Sequence, residues 1–501
     1  MAYHTFPLEG TPRVVIERCG GRLEITTWDE RQVGAEAGED QLRWSQSDEA
    51  LVLTAEGDLK LQVPRDVELA LPQDIHGDAK IHGLARDVTL GQIHGDAAIS
   101  GTGNVTLRQV HGDAEVRGIN GDVTVHTVHG DLTVEGTRAV TVEERVHGDA
   151  RLGRVASVRL RSVEGDLEVE DAGTLLVEAK VEGDARVRRG GAAEIRSVGG
   201  DLEVAEAPAL IVGDVGGDLE ARRLGEALRY GDVGGDLEVR ESEGAHVAGG
   251  HVGGDATVIG AQSVQAGDVG GDLEARTIAT DLRVGAVGGD AHVSEVGGTL
   301  AIGNVGGDLE ARTSAALQVG NVGGDLTLAV SFPPGSATRI SVGGDAAIEL
   351  PAEPNLTIRA TVGGEVSGGR LTSAGGGAFS AVYGAGAAQL ELVVGGDLAL
   401  HGAGEPRASS ASRGDWGRWG EEFGEKFGRD MGRWGEEFGR EMERWGEEFG
   451  REMERWGEEF GRRMEERFRG WDEGQAEEWA EKARRHAERV RERVEERMRQ
   501  A

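Results

Sequence analysis

Large aromatic side chains are nearly missing from most of this chain. Phe, Trp and Tyr make up 4% of its 501 residues, and between Ser45 and Asp415 only Tyr230, Phe332, Phe379 and Tyr383 occur. A globular domain of that length normally closes its core with aromatics, so any core here is thin and built from Val, Leu, Ile and Ala. No apolar run reaches the roughly 18 residues of a membrane-spanning helix. The single cysteine, Cys19, excludes an internal disulfide and carries no signal of an oxidising compartment. Met1 to Glu9 lacks a basic segment followed by an apolar one, so a cytoplasmic protein is expected. Basic charge is scarce as well. Lys and Arg number 54 against 90 Asp and Glu, a net of −36, of which −31 falls in 1–412 and −5 in 413–501. That field repels phosphate backbones, and nucleic acid is not an expected partner.

What the chain has instead is glycine, 83 residues of it, in a repeat. A Gly-Asp pair recurs with Asp at 78, 96, 113, 131, 149, 166, 184, 201, 218, 236, 255, 272, 290, 308, 325 and 345. One unit reads Val215-Gly-Gly-Asp-Leu-Glu-Ala221, then polar filler, then Leu228-Arg-Tyr-Gly-Asp-Val233. Two patches of period-2 alternation per unit, separated by glycine and charge, predict short strands joined by tight turns. A period of about 18 residues is too short for propeller blades or leucine-rich repeats. It predicts an all-β solenoid, a β-helix in which each coil hydrogen-bonds to the next. Glycine before each Asp is expected to supply a positive φ at the corner, and Asp to cap its own turn. The expected organisation is an N-terminal β cap over 1–75, solenoid repeats over 76–402, a linker at 403–414, and a helical tail over 415–501.

The opening Gly21-Arg-Leu-Glu-Ile-Thr-Thr-Trp-Asp29, the strand Leu61-Gln-Val-Pro-Arg65 and the recurring Gly-Asp-Leu/Val/Ala turns carry a resemblance. Over about residues 10–400 the chain resembles the bacterial β-strand-repeat family of the DUF4097 type, which bears an adhesin label. The resemblance implies a β-solenoid and no established enzyme chemistry. The chain departs from the adhesin label in lacking an export signal.

The tail has its own repeat of eleven residues, Arg433-Trp-Gly-Glu-Glu-Phe-Gly-Arg-Glu-Met-Glu443, repeated from Arg444 and again, with drift, from Arg455. Trp434, Phe438, Met442, Trp445, Phe449, Met453, Trp456 and Phe460 follow a 4-4-3 spacing, which keeps one face of an amphipathic helix. Eleven residues in three turns predicts a nearly straight or gently right-handed supercoil, a form of coiled coil. The glycines after each ring, such as Gly446 and Gly450, disfavour an isolated helix and let another backbone approach. Self-association through this stripe is therefore the expected partner mode. A membrane surface is the alternative.

Chemical candidates are few. His94, His111 and His129, with His76 and His147, share one column two residues before each Asp, and stacked imidazoles could ligate a transition metal. Asp214 with Asp218, and Asp232 with Asp236, are spaced to offer carboxylates to calcium. Turn capping explains the aspartates without a metal, and the histidines read as tolerated turn residues, replaced by Glu164, Glu182 and Gly199 as the column continues; no cofactor is expected. No Gly-x-Ser-x-Gly, His-Glu-x-x-His, Walker or dinucleotide motif occurs in a suitable context. The expectation is a non-enzymatic structural or interaction protein, a rigid acidic β-rod assembled or docked through its tail. A peripheral membrane scaffold and a cation-binding solenoid or adhesin are the alternatives.

Overall fold

The computed structural model describes residues 2–8, 13–47, 50–313, 316–368 and 371–402. The expected linker 403–414 and helical tail 415–501, with the Trp434 to Phe460 stripe, lie outside the described residues. The rest is an all-β solenoid of about 16 turns, with no helix among the described residues.

One turn shows how the repeat becomes a rung. Leu219–Arg222 is a strand with Leu219 and Ala221 buried and Glu220 and Arg222 pointing outward. A corner follows, then Ala227–Arg229 with Leu228 buried, and Val233 closes the circuit by a single bridge. The next turn repeats this in parallel register, with Leu219 beside Leu237, Ala221 beside Val239, Leu228 beside Val247 and Val233 beside Val252. Like side chains therefore stack in columns. Each inward column is one aliphatic residue wide, which leaves little room for rings and accounts for the scarcity of aromatics.

The glycine before each Asp has a different job from the expected one. Those glycines do not hold a positive φ. They are needed because the rungs touch there: a Cβ on Gly217 would collide with the Asp201 carboxylate and the Gly200 carbonyl. The left-handed corner lies after the first strand of each turn instead. Gly83, Gly101, Gly118 and Gly136 occupy it first, and then Arg154, Asp171, Arg189, Glu206, Arg223 and Glu241, with φ between 49° and 61°.

Both ends depart from chain order. At the N-terminal end, Arg13–Cys19 pairs with both Ala50–Ala55 and Glu68–Leu71, and Leu23–Trp28 pairs with both Leu59–Pro64 and Ala79–His82. The first rung of the chain thus lies second in the stack. Its outer neighbour is sealed by antiparallel strands, Leu42–Gln46 on Ala50–Ala55 and Gln32–Ala37 on Leu59–Pro64. At the other end Ala388–Val394 lies between Ala337–Val342 and Leu356–Val362, and Leu398–His401 between Ala346–Glu349 and Val366–Gly368. Antiparallel Ala378–Val382 covers Leu356–Val362. Sealing of this kind protects edge strands that would otherwise recruit other chains.

Leu219 is fully buried, whereas the Arg222 side chain is half exposed. Leu219→Asp places an unpaired charge in the column and should cost at least about 3 kcal/mol. Arg222→Ser should stay within about 0.5 kcal/mol of the parent. Chemical denaturation of the two full-length variants checks the contrast.

Candidate functional site

Stacking in register turns each surface position into a column of equivalent side chains. The longest is made of aspartates. Asp218 Oδ1 accepts a hydrogen bond from the backbone N–H of Asp236 at 2.8 Å, and Asp236 Oδ1 from Asp255 N–H at 2.8 Å. The same bond runs from Asp58, which accepts from Arg22 N–H at 2.8 Å, to Asp397, which accepts from Glu365 N–H at 2.7 Å. Each carboxylate therefore ties its own rung to the next, rather than closing an Asx turn within its own rung as the local sequence suggests. The reason is geometric. The neighbouring rung's N–H sits directly above the carboxylate once glycine has removed the intervening Cβ.

Asp214 and Asp232 belong to a second, interrupted column. Asp214 Oδ1 accepts from Asp232 N–H at 3.0 Å and Asp232 Oδ1 from His251 N–H at 2.9 Å. In the same column Asn304 Oδ1 accepts from Asn321 N–H at 3.1 Å, and in a third column Asn104 Oδ1 accepts from Asp122 N–H at 2.9 Å. Either position requires a short acceptor rather than a charge. Among the described residues no group of three or more His, Cys, Asp or Glu is arranged to hold a metal ion.

The histidine column is a true stack. His76, His94, His111, His129 and His147 lie face to face with centroids 4.7–5.0 Å apart and planes within 8° of parallel. Parallel rings aim their nitrogens in one direction and do not converge on a common point. Gln92 Nε2 lies 2.9 Å from His111 Nε2, and Gln109 Nε2 lies 3.0 Å from His129 Nε2. The column ends on a carboxylate, with His147 Nδ1 at 2.7 Å from Glu164. Burial, with the neighbouring His147 and His111, holds the His129 imidazole below its ordinary pKa. Cys19 is buried and its thiol is pushed up by that burial, which disfavours the reactive thiolate.

Beside the stack lies an open groove of about 840 Å³, lined by Arg108, Gln109, His126, His129, Glu144 and His147 among others. It forms at a bulge where the register shifts between Val142 and Val146. His126 sits between two acids, 3.2 Å from Glu143 and 3.5 Å from Glu144, and Thr127 donates to Glu144 at 3.2 Å. The candidates named from sequence did not include this cluster. Its signal was present: Val125 and Val128 are three apart, whereas Val142 and Val146 one rung later are four apart.

A further surface column was also missed. The left-handed corner alternates in sign through Arg154, Asp171, Arg189, Glu206, Arg223 and Glu241. Arg189 pairs with Asp171 at 2.7 Å and Arg223 with Glu206 at 2.9 Å, and the Arg189 guanidinium holds the Asp171 carboxyl below its usual range. Such exposed pairs contribute little individually, but alternation avoids a column of like charges. Two cross-rung His–Ser pairs, His82 with Ser100 and His246 with Ser263, each at 2.8 Å, lie exposed on the surface. No protein-family model, curated protein or solved structure matches the chain.

Two outcomes follow from these columns. Asp218→Ala removes the acceptor for Asp236 N–H and should cost about 1 kcal/mol, whereas Asp218→Asn keeps an acceptor and relieves like-charge crowding. The Asn variant should therefore match or exceed the parent in thermal melts at low salt. Because His129 has a lower pKa folded than unfolded, the unfolded chain takes up its proton first. Stability is retained above the ordinary histidine value of about 6.5 and falls as pH drops through it toward the folded value. Denaturation midpoints at pH 7.5 and pH 5 should separate less in His129→Gln than in the parent.

Proposed function

We propose that the chain is a non-catalytic scaffold, a rigid acidic rod that holds charged faces at fixed spacing and is assembled or docked by the segment after residue 402. The observation that carries this reading is the uninterrupted solenoid with both ends sealed by antiparallel strands. Sealed ends disfavour growth by stacking rod on rod, so assembly falls to another part of the chain. The tail stripe of Trp434, Phe438, Met442, Trp445, Phe449, Met453, Trp456 and Phe460 has the apolar content for that task. Its glycines favour a second copy of the segment over lipid, which needs no close backbone approach.

The faces of the rod support the same reading. The groove at the bulge is open, and the His–Ser pairs are exposed. Catalysis generally draws on convergent groups in a site that excludes water. A scaffold needs only a stiff frame and a regular surface.

Sedimentation velocity of the full chain tests the proposal. The parent should be oligomeric in buffer, and the double variant Trp445→Ser/Trp456→Ser should be monomeric while its β-sheet circular dichroism stays unchanged. A parent that is monomeric in buffer but floats with liposomes would transfer the tail to the membrane-scaffold alternative.

A further inference from the structure

A stacked-repeat rod has two weak points at each end. The last rung has only one neighbour, and a free chain end can peel away residue by residue. In this protein the two weaknesses fall on different rungs. The rung 388–401, where the described chain ends, is bonded on both sides. Toward the middle of the rod, Gly395 N–H donates to Val342 O at 2.9 Å and Asp397 N–H to Asp345 Oδ1 at 2.7 Å. Toward the end, Gly363 N–H donates to Val394 O at 2.9 Å, Gly364 N–H to Gly396 O at 2.9 Å and Glu365 N–H to Asp397 Oδ1 at 2.7 Å.

The rung with one solenoid neighbour, 356–368, is an internal segment of the chain. It cannot peel from a free end and must open as a loop. Ala378–Val382 seals its first strand. The fit between these rungs is close, since a Cβ on Gly395 would collide with the Gly343 carbonyl and one on Gly363 with the Gly395 carbonyl.

The rung 13–28 repeats the interleaving, while Ala2–Pro7 before it pairs antiparallel with Gln32–Ala37 on the outer side. Cys19 and Gly20 belong to a rung held between 50–64 and 68–82, with Gly20 N–H donating to Ala55 O at 2.9 Å and His76 N–H to Cys19 O at 2.9 Å. Arg22 N–H reaches Asp58 Oδ1 on the outer side at 2.8 Å, and Gly77 N–H reaches Gly21 O from the inner side at 3.1 Å. The same solution thus appears twice, built from unrelated loops.

We propose that this interleaving is a lock against unwinding of the solenoid from the tail side: it makes the rung that leads into the tail the protected one, and directs the first opening to the internal rung 356–368 and its cover 378–382. A pull or a cut beyond residue 402 then acts on a rung gripped from both sides, and the rod stays closed. The inference goes beyond the scaffold reading and does not depend on what the tail binds.

Hydrogen–deuterium exchange of the full chain, followed by mass spectrometry at neutral pH, tests it. Amides in 388–401 should exchange at least about tenfold more slowly than those in 356–368 and 378–382, although they lie nearer the tail in sequence. Equal or faster exchange in 388–401 would overturn the lock. Ile358 is fully buried in the outer rung. Ile358→Asp should open that rung and speed exchange in 388–401 about tenfold, while leaving 219–240 unchanged as the report of an intact rod. Unchanged exchange in 388–401 despite an opened 356–368 would equally overturn it.

Discussion

One hydrogen bond recurs along the whole rod and imposes most of its other features: the backbone N–H of one rung on the Asp carboxylate of the rung before it. It forms only if successive rungs meet in exact register and close contact. Close contact demands glycine on the N-terminal side of the Asp, since any Cβ would strike the carboxylate it is meant to clear. Register demands a nearly constant number of residues per turn. The high glycine content and the regular period are therefore two consequences of one bond.

Register then decides what the core and surface can be. Inward, it lines up Leu219 with Leu237 and Leu228 with Val247, giving ladders of single aliphatic side chains. Tyr230 is a buried exception, and it fits because a glycine, Gly249, lies beside its ring in the next rung. Outward, register multiplies every choice of side chain into a column. A charge repeated at one position would repel itself along the rod. The left-handed corner answers with alternating Arg and acid, the histidine column with face-to-face rings, among which burial holds His129 below its ordinary pKa, and the second acceptor column with asparagine at Asn304. The main Asp column repeats a carboxyl group along the stack, which adds to the acidic excess of residues 1–412.

Such an object repeats one cross-section along its length, interrupted at the bulge beside the histidine stack. Its ends are the places where the regular rule must stop. Parallel rungs leave unpaired N–H and C=O groups at each end, and antiparallel strands satisfy many of them without continuing the solenoid. Placing the rungs 13–28 and 388–401 one step inward adds a second protection, because each is hydrogen-bonded on both sides.

The rung itself was legible in the sequence. The Gly-Asp period, the alternation at Leu219–Ala221 and the missing aromatics pointed to a β-solenoid, because a rung is built from contacts between a residue and its counterpart about 18 positions away. The histidine column was legible for the same reason. The role of its chemistry was not, since only the parallel orientation of the rings shows that their nitrogens do not converge. The groove at Glu143 and Glu144 depended on a one-residue bulge that a repeat average conceals. The order of rungs at the ends was decided by tertiary structure alone. Every rung offers its neighbours nearly the same ladder of N–H and C=O groups, so periodicity specifies what a rung is but not which rung sits beside which. At 13–28 and 388–401 that choice fell to the connecting loops and the antiparallel strands that close the stack.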